Sequence, residues 1–174
     1  MTVVVIVGIL AALGVYGVRR YVNSAKSSEA RAMILNIKAA EEAYREETYQ
    51  YLPTANAING TGELYPHACL SIAPGKVKVA WEQSANCAQA KAIKTLGVTS
   101  TSPVYYGYGV GVPVSGGSMP ALPLSTPFNW GGNANPTGPA FAVVAMGDVD
   151  GDSTFSVFVS SSFTDEVHVE AEGE

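Results

Sequence analysis

The chain has 174 residues, of which 47% are hydrophobic and only 14% are charged, so it suits one ordinary domain or one domain with a tail. This balance excludes an intrinsically disordered chain, and a net charge of −5 at pH 7 disfavours a nucleic-acid partner held by phosphate contacts. The charge is uneven, because residues 98–147 hold no charged residue and residues 148–174 hold eight acidic residues and no basic one.

The first predicted element is an apolar helix over residues 1–18, which contain no charged residue and ten Val, Ile or Leu. Such a helix spans about 27 Å, close to the hydrocarbon core of a bilayer, and these ten side chains favour insertion by about 3 to 6 kcal/mol. A signal peptide and a buried core helix are the alternatives, but the start is not basic and the helical pattern continues. Gly14 and Gly17 are expected to loosen the helix over 14–17.

The helix is predicted to continue as an amphipathic segment over residues 19–51 and to stop before Pro53. Glu41 and Glu42 are expected to pair with Arg45 on its solvent face. Apolar residues recur at helical spacing along the opposite face, namely Val18, Tyr21, Val22, Ala25, Ala32, Met33, Ile37, Ala40 and Tyr44. The two segments together predict one helix of about 50 residues, roughly 75 Å long.

Residues 52–98 are predicted to be a loop-rich connecting region with a short strand over 76–82 and a short helix over 84–96 that is capped by its first residue. A pair of cysteines, Cys69 and Cys87, in a Gly/Ser/Pro-rich chain favours a disulfide in an oxidising compartment, with two buried free thiols as the alternative. Closing this loop would contribute roughly 3 kcal/mol.

Two features of the sequence predict opposite orientations of the chain in a membrane. Arg19, Arg20 and Lys26 follow the apolar segment and nothing basic precedes it, which by the positive-inside rule leaves the rest of the chain in the cytoplasm. The cysteine pair favours the opposite side. An upstream segment missing from this sequence would reconcile the two.

Residues 99–174 are predicted to form an antiparallel β-sheet head with an acidic tail. Its predicted strands are a central strand over 103–112, a hairpin with arms at 140–146 and 154–159 around an Asp-Gly turn, and an edge strand over 166–170. Residues 113–139 hold six Pro and five Gly and are predicted to be a long surface excursion. The fold class is therefore α+β, with the amphipathic half of the helix packed on a four-stranded antiparallel sheet.

Asp148, Asp150 and Asp152 present three carboxylates at alternate positions, a spacing found in loops that wrap Ca²⁺. The full EF-hand pattern fails, because Ser153 and Val159 stand where Gly and Glu are required. An acidic hairpin turn and a Ca²⁺ site are both compatible with these residues.

Catalytic motifs are not evident. His67 and His168 are the only two histidines, and no spaced set of ligands or phosphate-cradling loop accompanies them. The sequence therefore predicts a protein that is not an enzyme.

Several residues of the long helix follow a known family pattern. They are Gly8-Ile-Leu-Ala-Ala12, Ala25-Lys26, Ser28-Glu-Ala30, Leu35, Ile37, Ala43-Tyr44 and Tyr51. Over about fifty residues this segment resembles the N-terminal helix of type IV pilins and of type II secretion pseudopilins. The family pattern opens with a cleaved basic leader and a hexapeptide that carries a buried glutamate, so we expect an upstream segment before Met1. Tyr16 stands where the family usually has a helix-kinking proline.

The resemblance implies a pilin-like α+β fold and a structural subunit of a helical filament of identical copies. It implies an inner-membrane location and contact with inner-membrane assembly machinery before assembly, and then a place in a cell-surface filament that supports adhesion, motility or DNA uptake. The filament core would be formed by Val3, Val4, Ile6, Val7, Gly8, Ile9, Leu10, Ala12 and Leu13. The alternatives are a pseudopilin or minor pilin of a secretion machine, and a membrane-anchored binding domain that never polymerises.

Overall fold

The computed structural model describes residues 2–81, 87–113 and 117–172. It begins with one long helix, α1 (Thr2–Thr48), whose 47 residues span about 70 Å. A single long N-terminal helix is thus confirmed. The helix runs through residues 14–17 without interruption, and its loosening there stays a prediction about its behaviour in a membrane or filament.

The connecting region contains a 3₁₀ turn (Thr61–Glu63) and two short helices, α2 (His67–Leu70) and α3 (Ala88–Thr95). The N-cap of α3 is Cys87, whose sulfur accepts a hydrogen bond from the Ala90 backbone N–H at 3.3 Å. The predicted cap, Ser84, lies outside the described residues. The short helix is otherwise where it was expected, although it has eight residues instead of about twelve.

The predicted strand over 76–82 is wrong for the residues that the structure describes. Only Val79 pairs, in an isolated bridge with Val104. The chain just before it is tied elsewhere, because the Asp148 backbone N–H donates to the Pro74 carbonyl at 3.0 Å. The alternating pattern of residues 76–82 therefore does not place this segment in the sheet.

The head contains one antiparallel sheet in the order β1 (Gly107–Gly111), β2 (Ala142–Gly147), β3 (Ser156–Ser161) and β4 (Thr164–Glu170). The hairpin is confirmed, and β4 is the edge strand that the alternating pattern of residues 166–170 predicted. The prediction that the strand near 103–112 is central is wrong, since β1 lies at the other edge.

The open edge of β1 is covered by the connecting region, which explains why its sequence is typical of an interior strand. Tyr65 bridges Tyr108, and the Thr54 backbone N–H donates to the Val110 carbonyl at 3.0 Å. A Cβ at Gly109 would lie 2.7 Å from Leu64 Cδ2, so a larger residue there would have to displace the buried Leu64 side chain. Residues of the connecting region thus cover this edge of the sheet in place of another strand.

Both faces of the sheet are buried over β1, β2 and β3, whereas β4 is partly exposed. One face packs on the amphipathic half of α1 through Ile34, Ile37, Tyr106, Tyr108, Phe141, Val143 and Phe158. The other face is covered by the connecting region and the Pro/Gly-rich excursion through Ile58, Leu64, Met119, Val144, Met146, Val157 and Val159. Successive strand residues point to opposite faces, so one sheet supports both layers. This is the α+β, pilin-like layout that was predicted.

The disulfide between Cys69 and Cys87 is confirmed, with the two Cα atoms 5.7 Å apart. It ties the end of α2 to the start of α3. Replacing both cysteines with serine is expected to lower the free energy of unfolding by roughly 3 kcal/mol, because the unfolded chain regains the entropy of a loop of about 19 residues. Urea denaturation of the oxidised and doubly substituted chains measures this loss. A difference below about 1 kcal/mol would contradict it.

Candidate functional site: the exposed apolar half of α1

The N-terminal half of α1 carries large apolar side chains that nothing in the fold covers. Leu10 is 62% exposed, Leu13 is 63% exposed and Val4 is 76% exposed. Among the described residues, α1 alone is long and apolar enough to cross a membrane, and its most apolar stretch is not buried in the head. Nearly bare apolar surface of this length is costly in water, so it requires lipid or protein around it.

Every residue assigned from sequence to filament-core packing lies on this bare half of α1. Seven of them are large apolar residues that are more than half exposed, namely Val3, Val4, Ile6, Val7, Ile9, Leu10 and Leu13. A Cβ built at Gly8 would meet no atom within 4 Å beyond the adjoining backbone of its own helix. Gly8 and Ala12 are four residues apart and therefore share one side of the helix. Two small residues at this spacing let a neighbouring helix approach the backbone closely, as in the small-xxx-small pattern of membrane helices.

The head holds α1 from Lys26 onwards. The Lys26 ammonium donates to the Val149 carbonyl at 2.8 Å, and the Glu29 carboxylate accepts the Tyr105 backbone N–H at 2.8 Å. Further along, Lys38 donates to the Thr164 carbonyl at 2.5 Å. These polar contacts lie at both ends of the sheet and fix the register of helix and head. The apolar half therefore projects from a head that is attached to α1 by specific contacts.

Burial shifts the pKa values of two charged groups that lie between α1 and the head. Burial raises the pKa of Glu29, against the hydrogen bond from Tyr105 and the charge of Lys78, which lower it. Burial likewise lowers the pKa of Lys38, and Asp165 opposes that shift with its Nζ–Oδ1 distance of 3.8 Å. Specific partners of Glu29 and Lys38 thus stabilise their charged forms against the effect of burial.

The predicted Glu41–Arg45 pair is wrong. Glu41 is fully buried and its carboxylate accepts the Leu52 backbone N–H at 2.9 Å, while Arg45 pairs with Glu42 at 3.4 Å and with the Tyr51 hydroxyl at 3.1 Å. The chain reverses after α1 and brings its first loop back over Glu41, which removes that side chain from solvent. Burial, assisted by the nearby Glu42 charge, raises the pKa of Glu41 to about 7.

The two histidines lie in different surroundings. His67 is fully buried in α2, and burial lowers its pKa to about 4, against a weaker effect of the Val77 backbone. His168 lies on β4 and packs edge-on against Phe128, with ring centroids 5.8 Å apart. Neither position tests whether the chain is an enzyme, so the expectation that it is not one stays a prediction.

The structure brings Asp148, Asp150 and Asp152 together in the turn between β2 and β3, with ligand oxygens within 4.8 Å of one another. Carboxylate oxygens are suitable Ca²⁺ ligands. Each carboxylate already accepts a backbone N–H, however, and Asp148 accepts two, from Gly151 at 2.7 Å and from Ser153 at 3.2 Å. The turn geometry accounts for these residues without a cation, so Ca²⁺ binding stays a prediction.

Asp148→Ala is expected to lower the free energy of unfolding by about 1 to 2 kcal/mol, because two backbone donors lose their acceptor. Asp150→Ala is the matched control and should change it by less than about 0.5 kcal/mol, since Asp150 is exposed and its acceptor contact is 3.4 Å long. Calorimetry in chelator measures both. Equal losses would contradict the hairpin role of Asp148.

Repeating the calorimetry with added Ca²⁺ tests the metal prediction separately. A bound cation would raise the melting temperature of the wild-type chain by mass action, and Asp150→Ala would reduce that rise. An unchanged melting temperature would end the prediction of a Ca²⁺ site.

None of the protein-family models, curated proteins or solved structures compared with this chain matches it. The resemblance to pilins therefore rests on the residues of α1 and on the fold. A long apolar N-terminal helix fits a pilin-like protein, and that helix is able to anchor the chain in a membrane.

Proposed function

We propose that this chain is a structural subunit of a type IV pilus-like helical filament. The observation that carries the proposal is the exposed apolar half of α1, which continues without a break into the half that the head covers. The same apolar surface would contact lipid before assembly and the helices of identical subunits afterwards.

The proposed mechanism is an exchange of lipid contacts for protein contacts. Lipid tails are as apolar as leucine, so the hydrophobic effect does not distinguish the two states, and close packing must do so. The open surface at Gly8 and the neighbouring Ala12 supply the close approach, and the branched residues around them fill the space between helices. Heads attached to parallel helices make heterologous contacts, which propagate a filament when the rotation does not close.

The same helix also suits a pseudopilin or minor pilin with a short or capping role, and adhesion, motility and DNA uptake all remain proposals for the filament. A membrane-anchored binding domain is the alternative of another class. It would use the apolar half of α1 as an anchor and would leave the chain unassembled.

Electron microscopy of material sheared from the cell surface, with mass spectrometry of the subunit, tests the proposal. We expect thin filaments built from this chain. Short periplasmic assemblies would favour the pseudopilin alternative, and a chain found only in the membrane fraction would contradict the filament proposal and favour the anchored domain.

A further inference from the structure

The end of the head from which α1 emerges carries a group of lysines around an exposed apolar residue. Lys26 and Lys78 both approach the Tyr105 ring, with their Nζ atoms 5.1 and 4.7 Å from its centroid. The Lys76 side chain lies against Gly151, since a Cβ there would be 2.8 Å from Lys76 Cε. Between Lys76 and Lys78 stands Val77, which is 61% exposed.

These residues share a level along α1 that is set by direct contacts. Lys26 reaches the 148–153 turn through the Val149 carbonyl, and Glu29 accepts the Tyr105 backbone N–H. The first fully buried residue of α1 is Ser27, so the helix leaves the head at about Lys26. We call the surface formed by Lys26, Lys76, Val77 and Lys78 the basal surface of the head.

The length of α1 places the basal surface next to the bilayer when the apolar half spans it. Lys26 follows Val18 by eight residues, a rise of about 12 Å, and the headgroup layer is roughly 5 to 7 Å deep on each side. The remaining gap of about 5 Å is within the reach of a lysine side chain, and it is shorter than the Debye length of about 8 Å at physiological salt. A helix tilt of about 20° brings one side of this surface closer still.

The charge at this end differs from that of the rest of the chain. Six basic residues lie there along the chain, Arg19, Arg20, Lys26, Arg31, Lys76 and Lys78, against five acidic ones, Glu29, Asp148, Asp150, Asp152 and Glu172. This end is therefore close to neutral, whereas the whole chain carries a net charge of −5. An anionic bilayer would attract the lysines of the basal surface and repel the more acidic remainder of the head.

We propose that, before assembly, the basal surface docks on the headgroups of an anionic phospholipid bilayer, with Lys76 and Lys78 at the phosphates and Val77 at the interface. The inference rests on the membrane-anchored state in the proposed function. Docking would fix the orientation of the head relative to the membrane, and extraction of the helix into a filament would release it.

The test uses the full chain reconstituted in vesicles, with an environment-sensitive NBD dye on Val77→Cys and, separately, on Thr137→Cys. Thr137 is exposed and lines the same cleft as Tyr49, at the opposite end of the head. We expect a blue-shifted emission at position 77 in phosphatidylglycerol-containing vesicles, relative to phosphatidylcholine alone, and no shift at position 137. Each lysine near the surface is worth about a five-fold change in the equilibrium constant for docking, and raising the salt tenfold should reverse the shift because it screens this attraction.

Lys76→Gln/Lys78→Gln is expected to remove more than half of the shift. Lys91→Gln/Lys94→Gln, which makes the same charge change on two exposed residues of α3, should leave it intact, and Lys76→Arg/Lys78→Arg should preserve it. An equal response in neutral vesicles, or an equal loss in both glutamine pairs, would overturn the docking inference alone. A chain that fails to float with the vesicles would overturn the anchored state and with it the proposed function.

Discussion

Leu10→Asp is expected to abolish filaments and to remove most of the chain from the membrane. Leu10 lies in the middle of the bare apolar half of α1 and is 62% exposed in the isolated chain. Exchanging leucine for aspartate near the centre of a span costs about 3 to 4 kcal/mol, which is comparable with the 3 to 6 kcal/mol that favours insertion of the whole segment. Membrane fractionation and electron microscopy of sheared material measure the two losses.

Leu70→Asp is the matched control, because Leu70 is 55% exposed on the head and receives the same charge. It should leave both membrane insertion and filaments at the wild-type level. Filaments in normal number from Leu10→Asp would contradict the proposed role of the apolar half of α1. Normal membrane insertion combined with the absence of filaments in the wild type would instead favour the anchored, non-polymerising domain.

The second large effect is a loss of stability with rising pH that depends on Glu41. Burial raises its pKa from 4.5 to about 7 in the folded chain. Between these values the folded state holds a proton that the unfolded chain has released, so the free energy of unfolding falls as the pH rises. Above about pH 7 both states are ionised, and the accumulated loss attributable to Glu41 is about 3 kcal/mol.

Glu41→Gln is expected to remove this loss, because the neutral amide retains an oxygen that accepts the Leu52 backbone N–H. The variant should be more stable than wild type at pH 8 by up to about 3 kcal/mol and should show a flatter profile between pH 4.5 and 7. Thermal melts of the full chain in mild detergent over this range measure the profile. Glu46→Gln, an exposed change on the same helix, is the control, and parallel profiles for wild type and Glu41→Gln would contradict the assignment.

The elements that local sequence patterns determine were predicted well. The long helix follows from uninterrupted helical spacing and the absence of proline before Pro53, and the β2–β3 hairpin follows from two β-forming runs around Asp-Gly. The disulfide was predictable in outline because the chain holds just two cysteines. The bare apolar half of α1 was predictable because a charge-free run of this length has no polar face to turn to water.

The features that depend on distant segments were not predictable. The edge position of β1 depends on how the connecting region folds back, through the bridge from Tyr65 to Tyr108. The burial of Glu41 depends on the same reversal after α1, and in the helical pattern it is indistinguishable from an exposed partner of Arg45. The basal surface combines Lys26 with lysines some fifty residues later, a combination that only the attachment of head to helix reveals.

Sedimentation of the full chain without detergent or lipid tests most directly whether the apolar half of α1 needs an apolar environment. The account predicts that the chain is found as filaments or aggregates and becomes a dispersed monomer only when detergent covers residues 3–18. A stable, freely soluble monomer in plain buffer, with these residues protected from hydrogen exchange inside a compact fold, would contradict it.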